Sequence, residues 1–144
     1  MKTILLIHGP NLNFLGRRDA KHYGLLTLKM LESKVRSNAK KRGFVIKAYQ
    51  SNYEGALIDF LQKHSRGSAG IVINPGALTH YSYVLYDALI DANLPAIEVH
   101  LSDVKNREKF RKISVTARAC RKVISGKKLE GYLEAIDYLA KLIK

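Results

Sequence analysis

The stretch TILLIHGPNLNFLGRRDAKHYG, residues 3–24, begins as a strand and continues as a long polar loop. Its apolar run 4–7 is too short for a helix core and rich in isoleucine, which is typical of a strand buried on both faces. Gly9 and Pro10 end this strand, and the following loop carries asparagine, arginine, histidine and tyrosine side chains. A loop of this length inside a small domain is usually either a functional lid or a disordered segment. A solvated surface loop is the alternative that this stretch alone leaves open.

The remainder of the chain alternates short apolar runs with amphipathic segments. Four further strands are predicted, at residues 44–49, 70–73, 96–99 and 121–124. Helices are predicted at residues 28–42, where Thr27 is a candidate N-cap, and at 52–64, 81–92, 107–112 and 129–143. This alternation specifies an α/β fold, a parallel sheet with helices on both faces. Five strands predict one flavodoxin-like domain over residues 1–144, with the strand order 2-1-3-4-5.

Polar residues follow the first, third and fourth predicted strands. Sheets of this kind bind ligands in the crevice beyond the carboxyl ends of their strands, so these residues are expected to form one site. The polar residues are Asn11 after the first strand, Asn74 and His80 after the third, and His100 and Ser102 after the fourth; Ala77 and Leu101 stand beside them in the chain and are expected in the same site. The motifs GxGxxG and GxxxxGK[ST] are absent from the sequence, which disfavours a nucleotide- or flavin-binding module.

The apolar runs, the cysteine count and the net charge limit the kinds of partner and location that are expected for the chain. No apolar run approaches the roughly 20 residues that a membrane span needs, so no membrane association is expected. Cys120 is the only cysteine, which excludes an intramolecular disulfide and favours a cytoplasmic location. The net charge is +13, and ten basic residues between Lys105 and Lys128 are opposed only by Glu108. A nucleic-acid surface is one interpretation of this run; a solvated basic face, or a collar around an acidic small-molecule site, is favoured over it.

Glu98 and His100 are two residues apart on the fourth strand, so their side chains project from the same face. A carboxylate beside an imidazole fixes the tautomer of the ring and raises its basicity. His100 can then act as a general acid near neutral pH. A strand-end histidine bonded to any nearby oxygen is the alternative interpretation. Metal binding is disfavoured because the pair lacks a further ligand at suitable spacing.

Tyr23 is a candidate base on the polar loop. A tyrosine has an ordinary pKa of about 10 and is a poor base unless cations stabilise its phenolate. Arg17 and Arg18 can supply that charge when the loop closes and excludes water. A base on a lid and an acid on the sheet suit removal of a proton beside a carbonyl and expulsion of a leaving group. This combination indicates an elimination that uses no cofactor. The chain has eight tyrosines, and a core or surface tyrosine is the alternative that the residues alone favour for Tyr23.

Four motifs, in order along the chain, carry a resemblance to a known family: HGPNLNFLGRRDAKHYG, INPGALTHYS, EVHLS and REKFRKIS. They resemble the type II 3-dehydroquinate dehydratases of the shikimate pathway. The resemblance implies trans elimination of water from 3-dehydroquinate to give 3-dehydroshikimate through an enolate. It also implies a flavodoxin-like fold, trimers assembled into a homododecamer, and neither a metal nor a cofactor.

The resemblance also implies a role for each matched residue. Tyr23 would take the proton from carbon 2 while Arg18 holds it anionic. Asn11 would stabilise the enolate oxygen through a water, and His100, oriented by Glu98, would protonate the departing hydroxyl. The implied substrate-binding residues are Asn74, Ala77, His80, Arg111, the backbone of Leu101 and Ser102, and Asp87 from a neighbouring subunit. The chain departs from the family pattern at Asp103, where asparagine is usual, and at Lys122 and Lys128, where glycines are usual.

Overall fold

The computed structural model describes residues 1–17, 25–103 and 107–143. Five parallel strands form one sheet in the order β2-β1-β3-β4-β5, which confirms the predicted topology. The strands are β1 (Lys2–His8), β2 (Phe44–Gln50), β3 (Gly70–Asn74), β4 (Ala96–His100) and β5 (Lys122–Ser125). All five strands end on polar side chains at the same edge of the sheet, with His8, Asn74 and His100 on the three central strands. This edge is where a site is expected in a parallel α/β sheet.

Four α-helices cover the two faces of the sheet: α1 (Leu28–Lys41), α2 (Glu54–His64), α3 (Tyr83–Ala92) and α4 (Leu129–Leu142). Side chains alternate between the faces along each strand. Ile4 and Leu6 of β1 are therefore buried in one core with α1 and α4, whereas Leu5 and Ile7 are buried in a second core with α2 and α3. Within the described ranges, none of the helices has the length and apolar character required to cross a lipid bilayer.

Two of the four α-helices, α1 and α3, start at a side-chain cap. Thr27 caps α1 as predicted, because its Oγ1 accepts a hydrogen bond from the backbone N–H of Met30 at 3.1 Å. The third helix does not begin at Tyr81. Ser82 caps it instead, its Oγ accepting from the N–H of Leu85 at 3.1 Å, and α3 starts at Tyr83.

Short 3-10 turns occupy several connections. One spans Gly76–His80, before α3, and another spans Lys109–Lys112, where the sequence predicted a short helix. Turns at Leu12–Phe14 and Thr116–Ala119 were not predicted. Segments of three to five residues are too short to show helical periodicity, so the sequence pattern does not identify them.

The loops that follow β1 and β3 are in backbone contact. Gly9 donates its N–H to the carbonyl oxygen of Asn74 at 2.8 Å, and a Cβ at Gly9 would lie 2.2 Å from the carbonyl oxygen of Pro75. Gly76 has a positive φ of 62°, and a Cβ there would lie 3.0 Å from the carbonyl oxygen of Pro10. The two Gly/Pro pairs therefore allow a close approach that no larger residue permits. This contact brings the ends of β1 and β3 together around one pocket.

The fifth strand forms with a lysine, Lys122, as its first residue. The Nζ of Lys122 lies 3.5 Å from a carboxylate oxygen of Glu134 and 5.2 Å from the centre of the Tyr138 ring. Both partners belong to α4. The lysine is therefore accommodated at the solvent side of this edge strand.

Candidate active site

A pocket with a cavity of about 90 Å³ opens at the carboxyl-terminal edge of β1, β3 and β4. Eight residues singled out in the sequence line it: Asn11, Asn74, Ala77, His80, His100, Leu101, Ser102 and Arg111. Glu98 lies behind His100, and Asp87 is exposed on α3 away from this pocket. Arg18 and Tyr23, the implied base and its cation, lie outside the described residues. The three strand ends thus bring their polar residues to one place.

The centre of the site is a carboxylate–imidazole pair on β4. His100 Nε2 donates to Glu98 Oε2 across 2.8 Å, and Glu98 is completely buried. This bond places Nε2 of His100 toward the carboxylate, and the ring itself lines the pocket. The arrangement leaves the second ring nitrogen as the one that can exchange a proton with a ligand.

Glu98 is ionised in spite of its burial. Burial by itself raises the pKa of the carboxyl group, but hydrogen bonds from His100, Thr116 and Ser114 and the charge of His100 together hold that pKa below its ordinary value. Hydroxyl groups supply much of this support: Thr79 and Ser114 donate to Oε2 at 2.9 and 2.8 Å, and Thr116 donates to Oε1. The site therefore holds a fixed negative charge directly behind His100.

The side chain of Asn74, at the end of β3, is fixed from two sides. Its Nδ2 donates to the hydroxyl of Tyr132 at 2.9 Å, and its Oδ1 accepts from the N–H of Gly76 at 3.0 Å. Tyr132 lies on α4 and is completely buried, and burial raises the pKa of its phenol, so the hydroxyl stays protonated. Asn74 therefore presents its amide to the pocket in a set orientation.

Asn11 begins the loop after β1 in a left-handed conformation, with φ at 70°. Asparagine tolerates this region better than most residues. Its backbone N–H donates to Oδ1 of Asn52 at 2.9 Å, and the same oxygen accepts from Nε2 of Gln50 at 3.2 Å. Asn11 is thus anchored to the end of β2 where the polar loop starts.

Three basic residues line part of the pocket: His80, Arg107 and Arg111. His80 Nδ1 donates to the carbonyl oxygen of Ile113 at 2.6 Å, and its ring meets Phe110 edge-on with the ring centres 6.0 Å apart. Arg111 lies over the same Phe110 ring and donates from Nε to Glu108 at 2.7 Å. Positive charge in this part of the pocket favours an anionic ligand.

The backbone after β4 is held by the loop that precedes α4. The N–H of Gly126 lies 3.2 Å from the carbonyl oxygens of both His100 and Ser102. The N–H of Lys128 donates to the carbonyl oxygen of Leu101 at 3.1 Å. Leu101 and Ser102 are buried at the base of the pocket. The peptide groups of residues 100–102 therefore stand in a fixed position relative to His100.

Arg107 and a set of hydroxyl-bearing residues belong to the site but were not predicted from the sequence. Arg107 lines the pocket, and its spacing of four residues from Arg111 in the motif REKFR is a signal that could have identified it. The hydroxyls of Thr79, Ser114 and Thr116 and that of Tyr132 leave no such signal. They come from separate elements, and serine, threonine and tyrosine occur in many other places in the chain.

Comparison with known proteins places the chain in a family. A profile described as Dehydroquinase class II matches residues 2–140. The chain is 46% identical over 142 residues to a 3-dehydroquinate dehydratase of Thermus thermophilus, covering 98% of this chain and 95% of that protein. It is 42% identical over 144 residues to a 3-dehydroquinate dehydratase of Halothermothrix orenii, covering 100% of this chain and 97% of the relative.

A solved structure agrees with the sequence comparisons. The type II dehydroquinase from Butyrivibrio crossotus superposes with a TM-score of 0.93 at 48% identity, and the match covers 96% of this chain and 97% of that one. Sequence and fold therefore match the same family along nearly the whole chain. The chain belongs to the class II dehydroquinase family.

Proposed function

We propose that this chain dehydrates 3-dehydroquinate to 3-dehydroshikimate by trans elimination of water through an enolate, as a step of the shikimate pathway. The family match over residues 2–140 and the relatives named 3-dehydroquinate dehydratase support the reaction. The observation that carries the chemistry is the buried, ionised Glu98, which lies 2.8 Å from His100 at the pocket. Such a pair suits protonation of a leaving hydroxyl.

The acid half of the reaction is assigned to His100. Its Nε2 is engaged by Glu98, so a proton on Nδ1 is the one available to a substrate oxygen. When the carbon–oxygen bond breaks, the electron pair of that bond leaves with the hydroxyl and His100 supplies the proton, so that water departs. The negative charge of Glu98 stabilises the protonated ring before this transfer.

The base half of the reaction is assigned to Tyr23, with Arg18 holding its phenolate. Both residues lie outside the described part of the chain, so this assignment rests on the match of the motif GRRDAKHYG to the family. Removal of the proton from carbon 2 places charge on the ketone oxygen, and Asn11 at the pocket edge is proposed to stabilise that oxygen through a water. The reaction then needs no cofactor.

The remaining pocket residues are assigned to substrate binding. Asn74, His80 and Arg111 are proposed to hold the ring hydroxyls, and Ala77 forms part of the wall. The backbone N–H groups of Leu101 and Ser102 are proposed to bind the substrate carboxylate. The basic part of the pocket, which includes Arg107, supports an anionic substrate at this position.

The proposed functional form is a homododecamer, built from trimers, in the cytoplasm. Asp87 is exposed on α3 and would complete the pocket of a neighbouring subunit. Tyr81, Tyr83, Val84 and Ile90, on and beside the same helix, are exposed apolar side chains, and such patches mark protein interfaces. Nucleic acid is not proposed as a partner, because the arginines of the basic segment that line the pocket, Arg107 and Arg111, are assigned to the small-molecule site.

The reaction is tested with the purified chain, treated with a chelator and supplied with 3-dehydroquinate. We expect the ultraviolet absorbance of the conjugated enone product to appear. Tyr23→Phe should lose most turnover, by at least ~100-fold, because it removes the proposed general base. The matched control is Tyr53→Phe, which changes an exposed tyrosine outside the pocket and should keep the wild-type rate. A wild-type rate in Tyr23→Phe would refute the base assignment, and no product from the unmodified chain would refute the reaction.

A further inference from the structure

The Glu98 carboxylate has hydrogen-bond donors on both of its oxygens. Oε2 accepts from His100 at 2.8 Å and from the hydroxyls of Ser114 and Thr79 at 2.8 and 2.9 Å. Oε1 accepts from the hydroxyl of Thr116, its one side-chain donor among the described residues. Glu98 and Thr116 are completely buried and Thr79 is nearly so. Thr116 therefore bonds to Oε1, the carboxylate oxygen that does not contact His100. This bond also limits rotation of the carboxylate about its own axis.

The three hydroxyls come from two segments joined to each other. Thr79 belongs to the 3-10 turn after β3, and Ser114 and Thr116 precede or begin the turn at Thr116–Ala119. The N–H of Val115 donates to the carbonyl oxygen of Thr79 at 2.7 Å, which binds the segments together. Ser114 Oγ also accepts from the N–H of Ala117 at 3.0 Å, so its own proton is free to point at Glu98. The hydroxyls are thus fixed by backbone contacts before any ligand arrives.

The charges around Glu98 make these donors necessary. His100, on the same strand, is the one basic side chain bonded to Glu98 in the described part of the chain. The thiol of Cys120 also faces this region; burial, and secondly the charge of Glu98, raise its pKa to about 12, so it stays neutral. When His100 is neutral, the carboxylate therefore depends on uncharged partners. Hydroxyl donors are then the groups that keep a buried carboxylate charged.

We propose that Thr116, supported by Ser114 and Thr79, is a positioning residue of the dehydration: it keeps Glu98 charged and turned toward His100. This inference rests on the proposed role of His100 as the acid. Loss of the Thr116 hydroxyl leaves Oε1 without its donor in a buried site, where the protonated carboxyl group becomes more favourable. A protonated Glu98 no longer stabilises the imidazolium and can turn away from the ring. Thr116 is not among the residues that line the pocket, and it acts only through Glu98.

The test compares Thr116→Val, which keeps the side-chain shape but lacks the hydroxyl, with Thr116→Ser, which keeps the hydroxyl. The pKa of Glu98 is read by ¹³C NMR in protein labelled at glutamate carboxyl carbons, with Glu98→Gln identifying the signal. We expect that pKa to rise by about one unit or more in Thr116→Val and to stay at the wild-type value in Thr116→Ser. In the same proteins kcat should fall about tenfold in Thr116→Val, with KM changed less, and should be restored in Thr116→Ser.

A further variant and the unmodified chain distinguish failure of this inference from failure of the proposed reaction. Ser114→Ala removes a donor from Oε2 and should also raise the pKa of Glu98. It replaces Thr116→Val in the test if that variant does not fold. An unchanged Glu98 titration and unchanged kcat in a folded, hydroxyl-free variant would overturn the inference while leaving the dehydration established. An unmodified chain that gives no product would instead contradict the proposed function, and the NMR titration would still be readable.

Discussion

At the scale of single residues, Lys128 occupies a backbone conformation that suits glycine. Its φ is 52° and its ψ is −135°, a region that side chains with a Cβ rarely adopt. Glycine adopts this conformation more readily, because it has no Cβ. The N–H of Lys128 must point at the carbonyl oxygen of Leu101, 3.1 Å away, to hold the backbone after β4. The chain therefore keeps the turn at a cost in backbone strain.

Relief of this strain should stabilise the protein. Lys128→Gly is expected to raise the free energy of unfolding by about 1 kcal/mol, since the strain removed exceeds the entropy that glycine adds to the unfolded chain. Thermal unfolding followed by circular dichroism should show a Tm higher by about 3 °C. Lys128→Ala is the control, because it removes the charge and keeps the Cβ, and it should show no such gain. A Tm that is equal in Lys128→Gly and Lys128→Ala would rule out the strain explanation.

At the scale of secondary-structure elements, α4 does more than cover one face of the sheet. Tyr132 reaches from this helix to the end of β3, where its hydroxyl accepts from Nδ2 of Asn74 at 2.9 Å. The same ring lies 6.3 Å from that of His8, the last residue of β1, measured between centres. The helix thus helps to set the orientation of a pocket amide at the end of β3.

Removing the Tyr132 hydroxyl should weaken substrate binding. Tyr132→Phe leaves a buried N–H of Asn74 without its acceptor, and such a group costs ~1–3 kcal/mol. We expect KM for 3-dehydroquinate to rise about tenfold, with a smaller change in kcat, in steady-state measurements. Tyr138→Phe alters another tyrosine of α4 that is not bonded to Asn74 and should leave both constants unchanged. Equal kinetics for the two variants would exclude this role for Tyr132.

At the scale of the whole molecule, the exposed face of α3 connects the fold to the proposed assembly. Val84 and Asp87 are three residues apart, so they lie on one side of the helix, and both are exposed. His80, four residues before Val84, lines the chain's own pocket. His80 belongs to the turn before α3, so it does not share the helix face on which Val84 and Asp87 lie. The exposed side of α3 therefore carries an apolar contact residue and the carboxylate proposed for the neighbouring pocket.

A charge at this surface should separate the subunits and stop turnover. Native mass spectrometry of the unmodified chain should give about twelve times the chain mass of 16.2 kDa. Val84→Glu is expected to yield smaller species, because it places a charge in an apolar contact, and to lose activity with the assembly. Asp87→Asn should keep the assembly and raise KM. Full activity of a monomeric Val84→Glu protein would contradict the proposed contribution of Asp87 across subunits.

The strand order, the positions of the four α-helices within a few residues and the residues at the strand ends were predictable from the pattern of the sequence. Strand alternation permits few topologies, and residues such as Asn74 and His100 follow directly from where buried strands stop. Tertiary structure alone decided which groups surround Glu98 and Asn74. Thr79, Ser114, Thr116 and Tyr132 reach these two side chains from distant points in the chain. Local sequence carries no periodic trace of such contacts, because burial and hydrogen-bond geometry arise only when separate elements pack together.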